Sequence, residues 1–139
     1  MEIDIEQRVL KARQLHNEGL NCAQSVVMAY ADLLDMKPEV ALATAAPFGR
    51  GLAKMNEVCG CVTGMALLSQ VIAPVRDRAD MMLNHNLVKS MADEFREENG
   101  DIVCRRLLGL EESGIKKKPC NEYVACAARI FGQKLKLND

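Results

Sequence analysis

Residues Glu57-Val58-Cys59-Gly60-Cys61-Val62-Thr63-Gly64, EVCGCVTG, set two thiols either side of one glycine and two glycines four residues apart. A spacing of four returns to the same helical face, so Gly60 and Gly64 form a smooth ridge that lets a second backbone come close. Asn56 is an N-cap residue type and Pro74 is a stop. Between them the stretch reads as a helix, Glu57 to about Ala73. A CxC pair in such a place can grip a metal, exchange disulfides, or pack two small apolar side chains. The position of the other four cysteines decides among these.

Working outward, the same helical grammar covers the chain. Pro47-Phe48-Gly49-Arg50-Gly51 is a loop. Before it, Pro38 opens a helix to about Ala46, Asn21 caps one from Cys22 to about Asp35, and Ile5 to Glu18 forms the first, ended by Gly19. After Pro74, a long helix runs from Asp77 to about Glu98, with Met81, His85, Val88, Ala92 and Phe95 on one face. Asn99-Gly100 stops it. Asp101 caps a short helix ending at Gly109, and Pro119 leads into a last one from Cys120 to about Leu135, burying Val124, Ala127, Ala128 and Phe131. No alternating strand pattern, internal repeat or linker interrupts this. The expectation is one all-α domain over residues 1–139, a compact array of about seven helices.

Composition agrees. A chain of 139 residues suits one domain, and one of this size folds without disulfide staples. Hydrophobic residues make up 49% and aromatics only 4%, with no Trp, which favours packed helices. A net charge of -1 gives no electrostatic reason for a nucleic-acid partner. The N-terminal MEIDIEQRVLK is acidic and lacks an apolar run, so no secretory signal is expected. The longest apolar stretch, Val58 to Val75, is broken by Gly60, Thr63, Gly64, Ser69 and Gln70, so no membrane insertion is expected. The location that follows is the cytoplasm, where six cysteines read as metal ligands, redox groups or packing residues rather than three structural disulfides.

On this map Cys22, Cys59, Cys104 and Cys120 all fall in the first turn of an expected helix. Unpaired N–H groups and the positive dipole end stabilise a thiolate there, and thiolate is the species that attacks, exchanges or ligates. Lys54, Arg105, Arg106 and Lys118 are the basic neighbours in sequence. Cys61 and Cys126 differ. Inside a regular helix a residue two along points about 200° away, so Cys61 joins Cys59 only if that turn is not regular helix. Both are expected as small buried hydrophobes.

Several stretches together resemble the redox-active family defined by the cysteine pattern C_GCAxxG_C_C. Gly19-Leu20-Asn21-Cys22-Ala23-Gln24-Ser25-Val26 resembles its G-x-N-C-A-Q-x-V opening. Pro47 to Gly51, then Glu57 to Gly60 and Val62-Thr63-Gly64, resemble its glycine loop and CGAxxG helix. Cys104-Arg105-Arg106-Leu107-Leu108-Gly109 resembles its C-R-x-L-L-G. Pro119-Cys120 with Val124, Ala127 and Ala128 resembles its closing helix. The resemblance implies that Cys22, Cys59, Cys104 and Cys120 are the family's four cysteines, and that the protein is redox-active beside a transport system. Cys61 stands where the family pattern has Ala, and is expected as a small-for-small swap.

Three functions stay open. In the first, the four thiols form reversible disulfides for electron transfer or sensing, with an unidentified redox partner or small molecule; Cys59 is expected to attack and Cys22 to resolve. In the second, Cys22, Cys59, Cys104 and Cys120 ligate zinc, an iron–sulfur cluster or another thiophilic metal. Their spacings of 37, 45 and 16 residues form no local knuckle. In the third, the cysteines are structural and the chain is a binding module. CxxC, CxxCH, Walker, GxGxxG and HExxH motifs are absent. The methionines are expected as core filler, His16 and His85 as buried, hydrogen-bonded residues, and Lys116-Lys117-Lys118 as a solvated loop adding positive potential beside Cys120.

Overall fold

The computed structural model describes residues 2–138, and its elements are helical throughout, α-helices with three short 3-10 turns. Seven helices follow in order: α1 (Ile5–Asn17), α2 (Cys22–Met28), α3 (Pro38–Ala45), α4 (Gly60–Leu68), α5 (Arg78–Asn99), α6 (Cys104–Leu107) and α7 (Cys120–Leu137). Among the described residues the only β pairing is one isolated antiparallel bridge, Val58 to Val103. Among the described residues no helix is long and apolar enough to cross a membrane.

α7 is the axis. Tyr123 through Ala128, together with Ile130, Phe131 and Gly132, are all buried, covering every side of that helix. α1 lies along it, tied by Arg129 Nη2 to Glu6 Oε1 at 3.0 Å and by Arg13 Nη1 to Asn121 Oδ1 at 3.0 Å. α2, α4 and α5 pack on its remaining sides. Tyr30 follows α2 and is wholly buried. Its hydroxyl donates to the Ala128 carbonyl at 2.7 Å, and its ring meets Phe131 edge-on at 4.9 Å.

The start of α2 is over-determined. Asn21 Oδ1 accepts from the Gln24 N–H at 2.9 Å, and Gln24 Oε1 accepts from the Asn21 N–H at 3.2 Å, a reciprocal capping box. The same two side chains reach sideways, Asn21 to the Ala46 carbonyl at 2.9 Å and Gln24 to the Leu42 carbonyl at 3.1 Å. The helix start is thereby fixed to α3. The α2–α4 contact uses the glycine ridge. A Cβ at Gly64 would lie 3.1 Å from Val26 Cβ and 3.2 Å from the Ala23 carbonyl oxygen.

Four expectations are corrected. α2 ends at Met28 instead of continuing to Asp35, because the chain tightens into a 3-10 turn, Ala31–Leu33, that carries Tyr30 into the core. α4 begins at Gly60, three residues late. Residues 57–59 are drawn out straight against 102–104, with the Cys59 N–H donating to the Ile102 carbonyl at 2.7 Å and the Cys104 N–H to the Glu57 carbonyl at 2.5 Å. Asn56, expected as the cap, has φ of 59°. Asp101 does not cap α6 directly; its Oδ1 accepts from the Ile102 and Val103 N–H groups at 2.7 and 3.0 Å and shapes the approach instead. On α5, Met81 and His85 are exposed and Met91 and Phe95 hold the buried face, so His85 is a surface residue.

Candidate thiol site

The bridge between residues 58 and 103 sets the site. It places Cys59 at the N-cap of α4 with φ −53° and ψ 134°, outside the helical range, and Cys104 as the first residue of α6. Cys22 and Cys120 are the first residues of α2 and α7. All four line one cavity together with Cys61, Arg50, Leu107, Leu108 and Tyr123. Its volume is about 20 Å³, room for one water-sized occupant. Cys22 and Cys120 are half-buried, whereas Cys59, Cys61 and Cys104 are buried. The Tyr123 hydroxyl donates to the Leu107 carbonyl at 3.3 Å and accepts from the Lys118 N–H at 3.1 Å, holding α6 against α7 beside the sulfurs.

Cys61 belongs to this cluster, against the expectation that it is a packing residue alone. The condition for that is met: Cys59 is not helical, so the 200° divergence of a regular helix does not apply. Between the two lies Gly60. A Cβ on it would collide with the Cys22 sulfur and come within 2.9 Å of the Phe48 carbonyl oxygen. The Cys22 sulfur therefore sits over the glycine, and the Cys59 and Cys61 thiols line the same small cavity with it.

Those two thiols, followed by the Arg50 and Ala23 backbone N–H groups, hold the Cys22 thiol far below its usual range despite its partial burial. The complementary shifts go up. Cys59 is raised first by donating to Cys22 and then by burial; Cys61 is raised first by burial and then by the same contacts. Within the set, a second ionisation is opposed by the first. Cys104 and Cys120 are both raised, by burial and then by the Cys22 charge, with Arg50 opposing. The Cys104 thiol points to Asn56 Oδ1 at 3.7 Å.

The cations differ from those expected. Arg105 is held by Glu57 at 2.9 Å and Glu111 at 2.7 Å, Arg106 by Asp101 at 3.1 Å, and Lys118 by Asn99 Oδ1 at 2.9 Å. Lys54 is exposed and does not line the cavity. Arg50 is the cation among the lining residues, with Lys117 acting on Cys120 from the loop. Arg50 was legible only as one residue of a glycine loop. Cys126 stands apart: its thiol donates to Glu98 Oε2 at 3.2 Å and accepts from Asn99 Nδ2 at 3.4 Å. Burial pushes it up to about 12, so it is an inert thiol at neutral pH.

Thiols gathered around one cavity, one of them shifted down toward the thiolate, can attack a disulfide sulfur and pass the new bond between themselves. Among the described residues no three Cys, His, Asp or Glu side chains are grouped so as to hold a metal ion. No curated protein and no solved structure matches the chain. Residues 20–134 match the family described as "Putative redox-active protein (C_GCAxxG_C_C)". That span holds every cysteine of the cavity and the loop and helix starts that carry them, and the chain belongs to this redox-active family.

Proposed function

We propose that the protein performs reversible thiol–disulfide chemistry, with Cys22 as the attacking thiolate and Cys59 as its resolving partner. The observation that carries this is that the half-buried Cys22 sulfur sits over Gly60, in one small cavity with the Cys59 and Cys61 thiols. The direction of attack reverses the sequence expectation, since Cys59 is buried and protonated while Cys22 is the thiolate and the more exposed. Cys104 and Cys120 line the same cavity and form the second pair, able to draw the oxidised bond across it. A cavity of one-water size admits no large substrate, so the partner is a small disulfide or a protruding disulfide or thiol of another protein, met at Cys22 or Cys120. A reducing cytoplasm is the compartment in which such a resting thiolate persists.

Ligation of zinc or an iron–sulfur cluster by Cys22, Cys59, Cys104 and Cys120 has less support, because the sulfurs share a cavity without grouping about one ion position. The test uses protein purified without oxygen. Free thiols are counted before and after a mild disulfide oxidant, and again after reduction. The expected result is loss and full recovery of at least one pair among Cys22, Cys59, Cys61, Cys104 and Cys120. All six thiols remaining free until denaturation refutes the proposal. Stoichiometric zinc or iron in the same preparation replaces it with the metal reading.

A further inference from the structure

The CxC segment gives the Cys22 sulfur two neighbours of the same kind. Cys59 sits at an extended N-cap and Cys61 in the first turn of α4. The bare Gly60 between them leaves the space that the Cys22 sulfur fills. Both thiols line, together with the Cys22 sulfur, a cavity of about 20 Å³, no wider than one water. Cys61 is 1% exposed, so it is closed to external oxidants yet open to an internal sulfur. A packing residue needs no place in the lining of the thiol cavity, and the resembled pattern has Ala at this position.

We propose that Cys61 is a second resolving thiol, which makes this member's site a three-sulfur relay centred on Cys22. The inference rests on the thiol–disulfide reading above and adds a residue to it. The chemistry balances with a small organic disulfide, RSSR, as oxidant. The Cys22 thiolate attacks one sulfur, forming Cys22–S–S–R and releasing RS⁻. Cys61 then gives its proton to the departing thiolate and attacks the Cys22 sulfur. The S–R linkage breaks and a Cys22–Cys61 disulfide forms. Two protein sulfurs lose two electrons, and RSSR becomes two RSH, one taking its proton from Cys61 and the other from water, since Cys22 starts as the thiolate. Cys59 can take the same step, and either thiol can reopen the bond made by the other without net oxidation. The oxidised site is then a mixture of Cys22–Cys59 and Cys22–Cys61 bonds in exchange.

The experiment treats full-length, oxygen-free protein with 2-hydroxyethyl disulfide, quenches with acid, and reads adduct mass and disulfide linkage by tandem mass spectrometry with cleavage at Gly60. Wild type, C59A and C59A/C61A are compared. The expected result is that C59A still loses the adduct and closes a Cys22–Cys61 bond. C59A/C61A retains the mixed disulfide on Cys22, its closure slowed at least tenfold. C59A that keeps its adduct like the double variant, or that links Cys22 to Cys104 or Cys120, overturns the role of Cys61. Should C59A not fold, the wild-type linkage decides: both bonds support the relay, and Cys22–Cys59 alone overturns it while leaving the thiol–disulfide function standing. A wild type that takes up no adduct and forms no disulfide removes that function first.

Discussion

A methyl group on residue 60 would occupy the place of the Cys22 sulfur. Gly60→Ala should therefore cost about 1–3 kcal/mol in urea unfolding, the usual penalty of forced overpacking, and should blunt Cys22 reactivity together with stability. Gly64→Ala meets Val26 and Ala23 at 3.1–3.3 Å and should cost less. The charge on Cys22 has its own signature. A thiol lowered in the folded chain contributes stability that is full above its unfolded pKa of about 8.5 and is lost as the pH falls toward the folded value. The raised thiols Cys59 and Cys61 act only above that same unfolded value. The stability difference between wild type and C22A should thus widen from pH 5 to pH 8; parallel curves would show that Cys22 is not specially ionised. Cys22 and Cys120 were legible at helix starts because Asn21 and Pro119 mark those starts locally, whereas the caps expected before Cys59 and Cys104, Asn56 and Asp101, do not cap. Cys61 was not legible, since its direction depends on the backbone of Cys59, which a distant partner at residue 103 pulls out of the helix.

The element that carries Arg50 is the least regular in the chain. Arg50, Gly51, Leu52, Ala53 and Lys54 are consecutive left-handed residues with φ between 50° and 69°. L-residues resist this conformation by about 1–2 kcal/mol each. Hydrogen bonds hold the turn closed, the Ala53 N–H to the Pro47 carbonyl at 2.7 Å and the Glu57 N–H to the Gly51 carbonyl at 3.0 Å. The turn places Arg50 in the lining of the cavity beside Cys22. Ala53 is exposed, so Ala53→Gly removes no core contact. Relief of strain offset by about 0.5–1 kcal/mol of glycine entropy should leave Ala53→Gly neutral or stabilised by up to about 1 kcal/mol in thermal unfolding; a loss of 1 kcal/mol would contradict the left-handed turn. Glycines in the sequence marked a loop here but not its hand, because only one of the five residues, Gly51, advertises positive φ by type. The early end of α2 was hidden for another reason. Residues 22–35 contain no helix breaker, and the turn arises from burial of Tyr30 against α7. Tyr30→Phe keeps the ring packing and removes the hydroxyl donor, so it should cost about 1 kcal/mol in the same assay.

At the scale of the whole molecule, four helix beginnings from widely separated parts of the chain meet around one cavity, with α7 as the common support. Helix number and order were readable from periodicity, because each helix carries its own stops and an apolar stripe. Their meeting point was not, since no local spacing joins Cys22 to Cys59 or Cys104 to Cys120. Arg105 and Arg106, which looked like thiol partners in sequence, are held by carboxylates, and that is settled only by three-dimensional packing. The measurement that bears most directly on the account is the pH dependence of alkylation, residue by residue, of the reduced native protein with iodoacetamide and peptide mapping. Cys22 should be modified first, at a rate nearly constant from pH 8 down to pH 5, with Cys126 unreactive throughout. A Cys22 rate that falls tenfold for each pH unit below about 8.5, as for an ordinary thiol, would contradict it.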